Sequence, residues 1–184
     1  MKEKQQVMSP QDIVVLLKII SYGDTPWFQE QLADALHISQ SEISKSLKRS
    51  KFAGLTNHSG KKVFKMALLE FLQYGIRYVF PIQPGALIRG VPTAHSALPL
   101  SNTIVSEEHY VWPYGKGSVR GQAITPLYPS VVLAVQNDQK LYELLALVDA
   151  LRVGRAREKE IAIKELKKRI LDDGNNLDKK HLLL

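Results

Sequence analysis

The sequence predicts a mainly α fold with a small β component, and three observations predict it. Apolar residues recur at helical spacing towards both ends, in Ile13, Leu16, Leu17 and Ile20 and again in Leu141, Leu144, Leu145, Val148 and Leu151. Between Pro81 and Pro129 that periodicity lapses, in a stretch holding seven of the nine prolines. Runs suited to strands gather around two glycine turns, Ser59-Gly60-Lys61 and Gly115-Lys116-Gly117. Three parts are therefore expected: helices with a small hairpin over residues 1–80, a Pro-rich irregular segment over 81–129, and C-terminal helices over 130–184.

The first helix opens at Ser9-Pro10-Gln11-Asp12, with an oxygen cap, Pro at the first helical position and an acid in the first turn; Gly23 ends it. Thr25-Pro26 repeats the start signal. Phe28, Leu32 and Leu36 then share one face, with Ala33 small beside them. Ser39 and Glu42 have the spacing of a capping box, so a third helix should run from Gln40 to about Ser50. Its inward residues are Ile43 and Leu47; Ser41, Ser44, Lys45, Lys48 and Arg49 stay outside. After Gly54, Leu55–His58 and Lys62–Lys65 should pair as a hairpin, followed by a helix carrying Ala67, Leu68, Phe71 and Leu72 towards Tyr78.

The Pro-rich segment carries Ile, Leu, Val, Tyr and Trp throughout, so it is no flexible linker. A second hairpin is expected between His109–Trp112 and Ser118–Ile124. A strap laid over the core and a dedicated binding surface fit the segment equally well. Beyond Pro129, helix reopens at Ser130 or Asp138 and breaks at Gly154. A last helix, Arg155–Leu171, carries Glu160/Lys164 and Glu165/Arg169 pairs at i, i+4. Its narrow apolar stripe, Ile163, Leu166 and Ile170, suits a seam between two copies, with burial inside the chain as the alternative. From Asp172 the chain turns polar until Leu182-Leu183-Leu184.

The 184 residues are 45% hydrophobic, enough for a packed core. With no cysteine, disulfide frameworks and thiolate metal sites are excluded. No apolar run follows the first residues to make a signal peptide, and none approaches the ~20 residues of a membrane span, so a cytoplasmic protein without membrane contact is expected. Net charge is +7, and its distribution is telling: Lys45, Lys48, Arg49, Lys51, Lys61, Lys62 and Lys65 are seven cations in a stretch without one acid. Such a local field suits a polyphosphate partner.

Chemistry finds little footing. His37, His58, His95, His109 and His181 lack metal-ligand spacing, and no paired carboxylates or nucleophile motif stands in a suitable setting. Gly115-Lys116-Gly117-Ser118 lacks the upstream glycine of a phosphate loop and reads as a glycine turn. No enzyme activity, cofactor or metal is expected.

The stretch Leu32-Ala33-Asp34-Ala35-Leu36-His37-Ile38-Ser39-Gln40-Ser41-Glu42-Ile43-Ser44-Lys45-Ser46-Leu47 resembles the helix-turn-helix of bacterial winged-helix regulators, including the MarR-like (multiple-antibiotic-resistance regulator) group. The resemblance spans roughly residues 9–80. It departs at His37, which stands where the turn usually has Gly and where positive φ is often needed. It implies a winged helix-turn-helix whose third helix enters the major groove. Gln40, Ser41 and Ser44 would face base edges or phosphates, and Lys45, Lys48 and Arg49 would neutralise the backbone. The wing residues His58, Lys61, Lys62 and Lys65 would follow the backbone or minor groove, and Asn57 would reach either. The function so implied is a sequence-specific regulator of transcription binding double-stranded DNA, a homodimeric repressor, with a protein partner or small-molecule effector on the appended segments. The alternative is an adaptor or antitoxin-like protein that grips a partner through Pro81–Pro129.

Overall fold

The computed structural model describes residues 6–172. The readings of residues 1–5 and of the polar stretch past Asp172, with its terminal leucines and His181, lie outside the described residues. The fold is mainly helical with one small sheet, as the hydrophobic periodicity predicts.

Helix α1 (Pro10–Tyr22) starts where its signals place it, but the expected oxygen cap is not formed: the Ser9 hydroxyl makes no capping hydrogen bond among the described residues, and instead the Ser9 N–H donates to Asp12 Oδ2 at 2.8 Å; Gly23 closes the helix at φ 61°. Ile13, Val14, Val15, Leu16 and Leu17 are all fully buried, so α1 is wrapped on every side rather than along one stripe. Helix α2 (Gln29–Leu36) begins later than Thr25-Pro26 suggests, because Gln31 Oε1 accepts the Phe28 N–H and caps the chain there. The register of its apolar face shifts accordingly. Phe28 is 68% exposed, and Trp27, at 8%, takes the buried place.

Helix α3 (Gln40–Phe52) is followed by a turn that closes on α4 (Lys65–Tyr74). The expected hairpin contracts to one bridge, Thr56 opposite Val63, flanked by Asn57 N–H to Lys62 O and Phe64 N–H to Leu55 O. The pairing stops there because Lys65 already begins α4 and the Asn57 side chain gathers the turn: its Oδ1 accepts the Lys61 and Lys62 N–H groups at 3.1 Å. Gly75 interrupts the chain before the single turn α5 (Ile76–Val79), and Tyr78 ends exposed.

The Pro-rich segment supplies the sheet: β1 (Leu87–Pro92), β2 (Tyr110–Pro113) and β3 (Val119–Ala123). The expected second hairpin is not formed. β1 pairs antiparallel with β3 through its first half (Leu87 opposite Gln122, Gly90 opposite Val119) and with β2 through its second (Gly90 opposite Pro113, Pro92 opposite Val111). β2 and β3 therefore run parallel, with Tyr110 opposite Gln122, and the three strands close on one another. Such closure needs backbones nearly in contact. A Cβ on Gly117 would run into the Gly90 backbone, and one on Gly90 into the Trp112 carbonyl.

The short α6 (Val131–Ala134) leads to α7 (Gln139–Val153) and α8 (Ala156–Leu171). Asp138 caps α7 by accepting the Leu141 N–H, and its other oxygen takes Lys18 Nζ at 2.5 Å, tying α7 to α1. Ser130 Oγ donates to Leu36 O at 2.5 Å, joining the Pro-rich segment's exit to α2. Buried apolar residues from α1 to α8 form one continuous cluster. The stripe on α8 belongs to it: Leu166 and Ile170 are 0% exposed and Ile163 packs at the margin. The expected intersubunit seam at Ile163, Leu166 and Ile170 is corrected here, since this chain's own core already covers it. The stripe is narrow because α8 lies on the surface with its other flanks in solvent.

A buried polar knot fastens the sheet to α7. Asp149, inside the apolar stretch Leu144–Leu151 of α7, accepts from Thr93 Oγ1 at 2.8 Å, Trp112 Nε1 at 2.6 Å and Arg152 Nη1 at 2.8 Å. Arg152 also donates to the Phe80 and Thr125 carbonyls. Burial pushes the Asp149 carboxyl up, while Arg152, Thr93 and Trp112 pull it down. No helix among the described residues is long and apolar enough to cross a membrane.

Candidate nucleic-acid interface

Two helices and the turn between them set the geometry. Leu32, Ala33 and Leu36 of α2 and Ile38 and Ile43 beyond it are buried, which holds α3 across α2. His37, the residue between the helices, adopts φ 52° and ψ 43°, the left-handed region that the Gly-type turn demands. Its N–H returns to Asp34 O, and the Ile38 N–H returns to Ala33 O. Ser39 then caps α3, its Oγ accepting the Glu42 N–H at 3.3 Å. Only this half of the expected capping box forms. The Glu42 carboxylate turns away and takes Lys45 Nζ at 2.7 Å. That hydrogen bond is the largest cause holding the Glu42 carboxyl below its ordinary range.

On α3, Ile43, Ser46, Leu47 and Ser50 face inward, so the opposite face carries Ser41, Ser44, Lys45 and Lys48 at i, i+3 and i+4 spacing. Gln40, Ser41, Lys45 and Lys48 are exposed and Ser44 is half-buried. Lys48 makes no ion pair among the described residues, whereas the charge of Lys45 is partly spent on Glu42. His58 and Lys62 are exposed at the neighbouring turn.

Three other expected contact residues have structural duties. Arg49 is turned inward, its Nε 2.9 Å from Asp12 Oδ2 and its Nη2 2.6 Å from Asp12 Oδ1, on a carboxylate that is fully buried. It pins α3 to α1 and is withdrawn as a backbone-neutralising contact. Lys61 Nζ donates to Trp27 O at 2.8 Å and sits 4.0 Å from the centre of the Trp27 ring. The Asn57 side-chain carbonyl is committed to the turn. Lys65, half-buried at the start of α4, lines the cleft beside Trp27.

Sequence reasoning missed the two partners that redistribute these charges. Asp12 read only as a first-turn acid, and nothing along the chain announces that Arg49 reaches it. Trp27 lay one residue outside the face assigned to α2. The exposed set left is Gln40, Ser41, Lys45, Lys48, His58 and Lys62, with Ser44 at its edge. It is polar, donor-rich and basic, able to hydrogen-bond base edges and offset phosphate charge. Comparison with protein-family models, curated proteins and solved structures finds no match to this chain.

Proposed function

We propose that this chain is a sequence-specific transcription regulator that binds duplex DNA through α3 and the turn after it, in the manner of a winged helix-turn-helix. The observation that carries the reading is the left-handed His37 turn leading into a Ser39-capped helix whose outward face holds Ser41, Ser44, Lys45 and Lys48. The cap satisfies a backbone N–H at the start of α3 from within the chain and leaves Gln40 and Ser41 exposed there, and an exposed helix start is what reads base edges in the major groove. Gln40 has a carboxamide suited to a bidentate contact with adenine. Lys48 and Lys62 supply sequence-independent attraction. The shortened turn in place of a wing limits minor-groove reach to His58 and Lys62.

Repression follows in the proposal from occupancy of an operator. A homodimer on a two-fold operator would need a surface other than the stripe on α8. The adaptor reading has its own support in apolar side chains left exposed on the Pro-rich segment, Leu87, Ile88 and Val105. Selection from randomised duplexes tests the main reading: an enriched motif that Gln40→Ala degrades at one position is the expected result, and no enrichment from the unaltered protein overturns sequence-specific regulation.

A further inference from the structure

We infer that Arg89 and Arg120 form a phosphate-binding clamp on the three-stranded sheet, away from α3. The register places the two arginines directly opposite each other in the antiparallel β1–β3 pair. Directly opposed residues project from the same face with Cβ atoms about 5 Å apart, and like charges so placed repel. Both side chains are exposed, and neither has an ion pair among the described residues. By contrast, Arg49, Arg152 and Arg169 each hold a carboxylate. A cleft of about 360 Å³ opens at the pair, lined by Leu87, Ile88, Arg89, Ser118, Val119 and Arg120.

The backbone leaves the pair little room to separate. Gly117 packs on the Gly90 backbone with no space for a Cβ, and the Tyr114 N–H donates to Arg89 O at 3.1 Å. Ser118 is thereby held at the mouth of the cleft, with exposed Lys116 two residues before it. The glycine turn that failed as a nucleotide loop in sequence thus acquires a different use, as the support of a two-arginine site.

The donor set selects the ligand. Each guanidinium offers a planar fork of N–H groups and a permanent charge. One carboxylate has two oxygens and a single charge, and one fork satisfies it. A terminal phosphate presents oxygens to both forks at once and has a further one for the Ser118 hydroxyl, whereas two successive backbone phosphates, with one charge each, would take one fork apiece. The phosphoryl group would come either from a nucleic-acid backbone or from a free phosphorylated ligand.

Titration with inorganic pyrophosphate, followed through the Arg Nε resonances, tests the clamp without relying on the α3 reading. The expected result is movement of the Arg89 and Arg120 signals, with apparent affinity falling about tenfold or more in R89Q/R120Q, a loss of charge-assisted hydrogen bonds. Because both positions are exposed, the double variant should keep the circular dichroism of the parent. A salt titration of duplex binding separates the sources. A slope reduced by about two in R89Q/R120Q assigns the clamp to backbone phosphates. An unchanged slope with a retained pyrophosphate response assigns it to a free ligand. Unmoved arginine signals, or succinate moving them at the same concentrations as pyrophosphate, overturn the inference.

Discussion

Arg49 reaches from α3 to Asp12 at the start of α1 with two of its nitrogens, the closer contact being 2.6 Å, and the carboxylate it meets has no exposed surface. A helix expected to present its charges to a partner therefore turns one of them inward. Lys48, one residue earlier, is exposed. The neighbours should separate cleanly in experiment. Arg49→Ala strands a buried carboxylate and is expected to cost about 3 kcal/mol in urea unfolding. Lys48→Ala should leave stability within about 0.5 kcal/mol and lower the salt slope of duplex binding by about one. A stable R49A protein with a flattened slope would contradict the inward orientation.

The inner face of α3 contains a small inefficiency. Ser46 Oγ is buried and has no hydrogen-bond partner among the described residues. An unpaired buried hydroxyl is unfavourable, and Ala is also the better helix former. Ser46→Ala is accordingly expected to raise stability by about 1 kcal/mol, read as a higher urea midpoint at unchanged m-value. A loss of stability would mean that the hydroxyl has a partner.

Asp149 serves three donors at once, and an amide at that position cannot accept from all of them. Asp149→Asn should cost about 3 kcal/mol and release the indole of Trp112 from its 2.6 Å hydrogen bond. The emission of Trp112 is the local reporter, provided Trp27 is first replaced by Phe. Unchanged emission with unchanged stability would remove the knot from the account of how the sheet is held.

Acid should loosen the α7–α8 contact. Burial alone would raise the Glu143 carboxyl, but hydrogen bonds from Gln139 and Arg169 and the charge of Arg169 outweigh it and hold the group below the ordinary glutamate value of 4.5. A carboxyl lowered in the folded state stabilises above its unfolded value, and that contribution disappears as pH falls through the folded one. Asp149 works in the other direction, since its raised carboxyl lets the folded state take up a proton first as pH falls. Urea midpoints between about pH 3 and 6 should therefore fall less steeply with acid in Glu143→Gln than in the parent. Parallel curves would show that Glu143 titrates alike in folded and unfolded chains.

Leu166→Glu distinguishes a core position from a subunit seam. At a seam the variant would be a folded monomer. With Leu166 at 0% exposure inside the chain, an uncompensated charge in the core should cost about 4 kcal/mol or more, visible as loss of the cooperative thermal transition. Sedimentation of a folded, monomeric L166E would restore the seam.

How much of this was legible depended on whether a residue's partner lay nearby along the chain. Gly23, Ser39, Asp138 and Gly154 mark helix ends through contacts a few residues away, and their roles could be read directly. His37 was readable only as a departure from the resembled turn, where Gly is usual; it takes the left-handed state all the same, at φ 52°. The partner of Arg49 was not readable, because Asp12 sits 37 positions away and periodicity says which face a side chain occupies but not what waits there. The same blindness made the Ile163, Leu166 and Ile170 stripe look like a seam. The residues of β2 and β3 were readable as strands, yet their pairing was not, since β1 has no alternating pattern to announce it as the strand both would join. Asp149 was hidden by its neighbours: within an apolar run, one carboxylate leaves the periodic signal intact.

The contact between Lys18 and Asp138 spans 120 positions of sequence. It bears on the order in which the molecule is made. When α3 has left the ribosome, α1 has been synthesised but its permanent neighbour α7 is still many seconds of translation away, at the usual ~5–20 residues per second. Until then Val14 and Val15, which α1 buries all round in the finished protein, lack their full cover. The nascent chain thus passes through an interval in which its helical start is complete in sequence but adhesive in solution. A shortened gene ending after α5 would make that interval permanent, and its product is expected to be captured by chaperones or proteases instead of accumulating as a free-standing DNA-binding module.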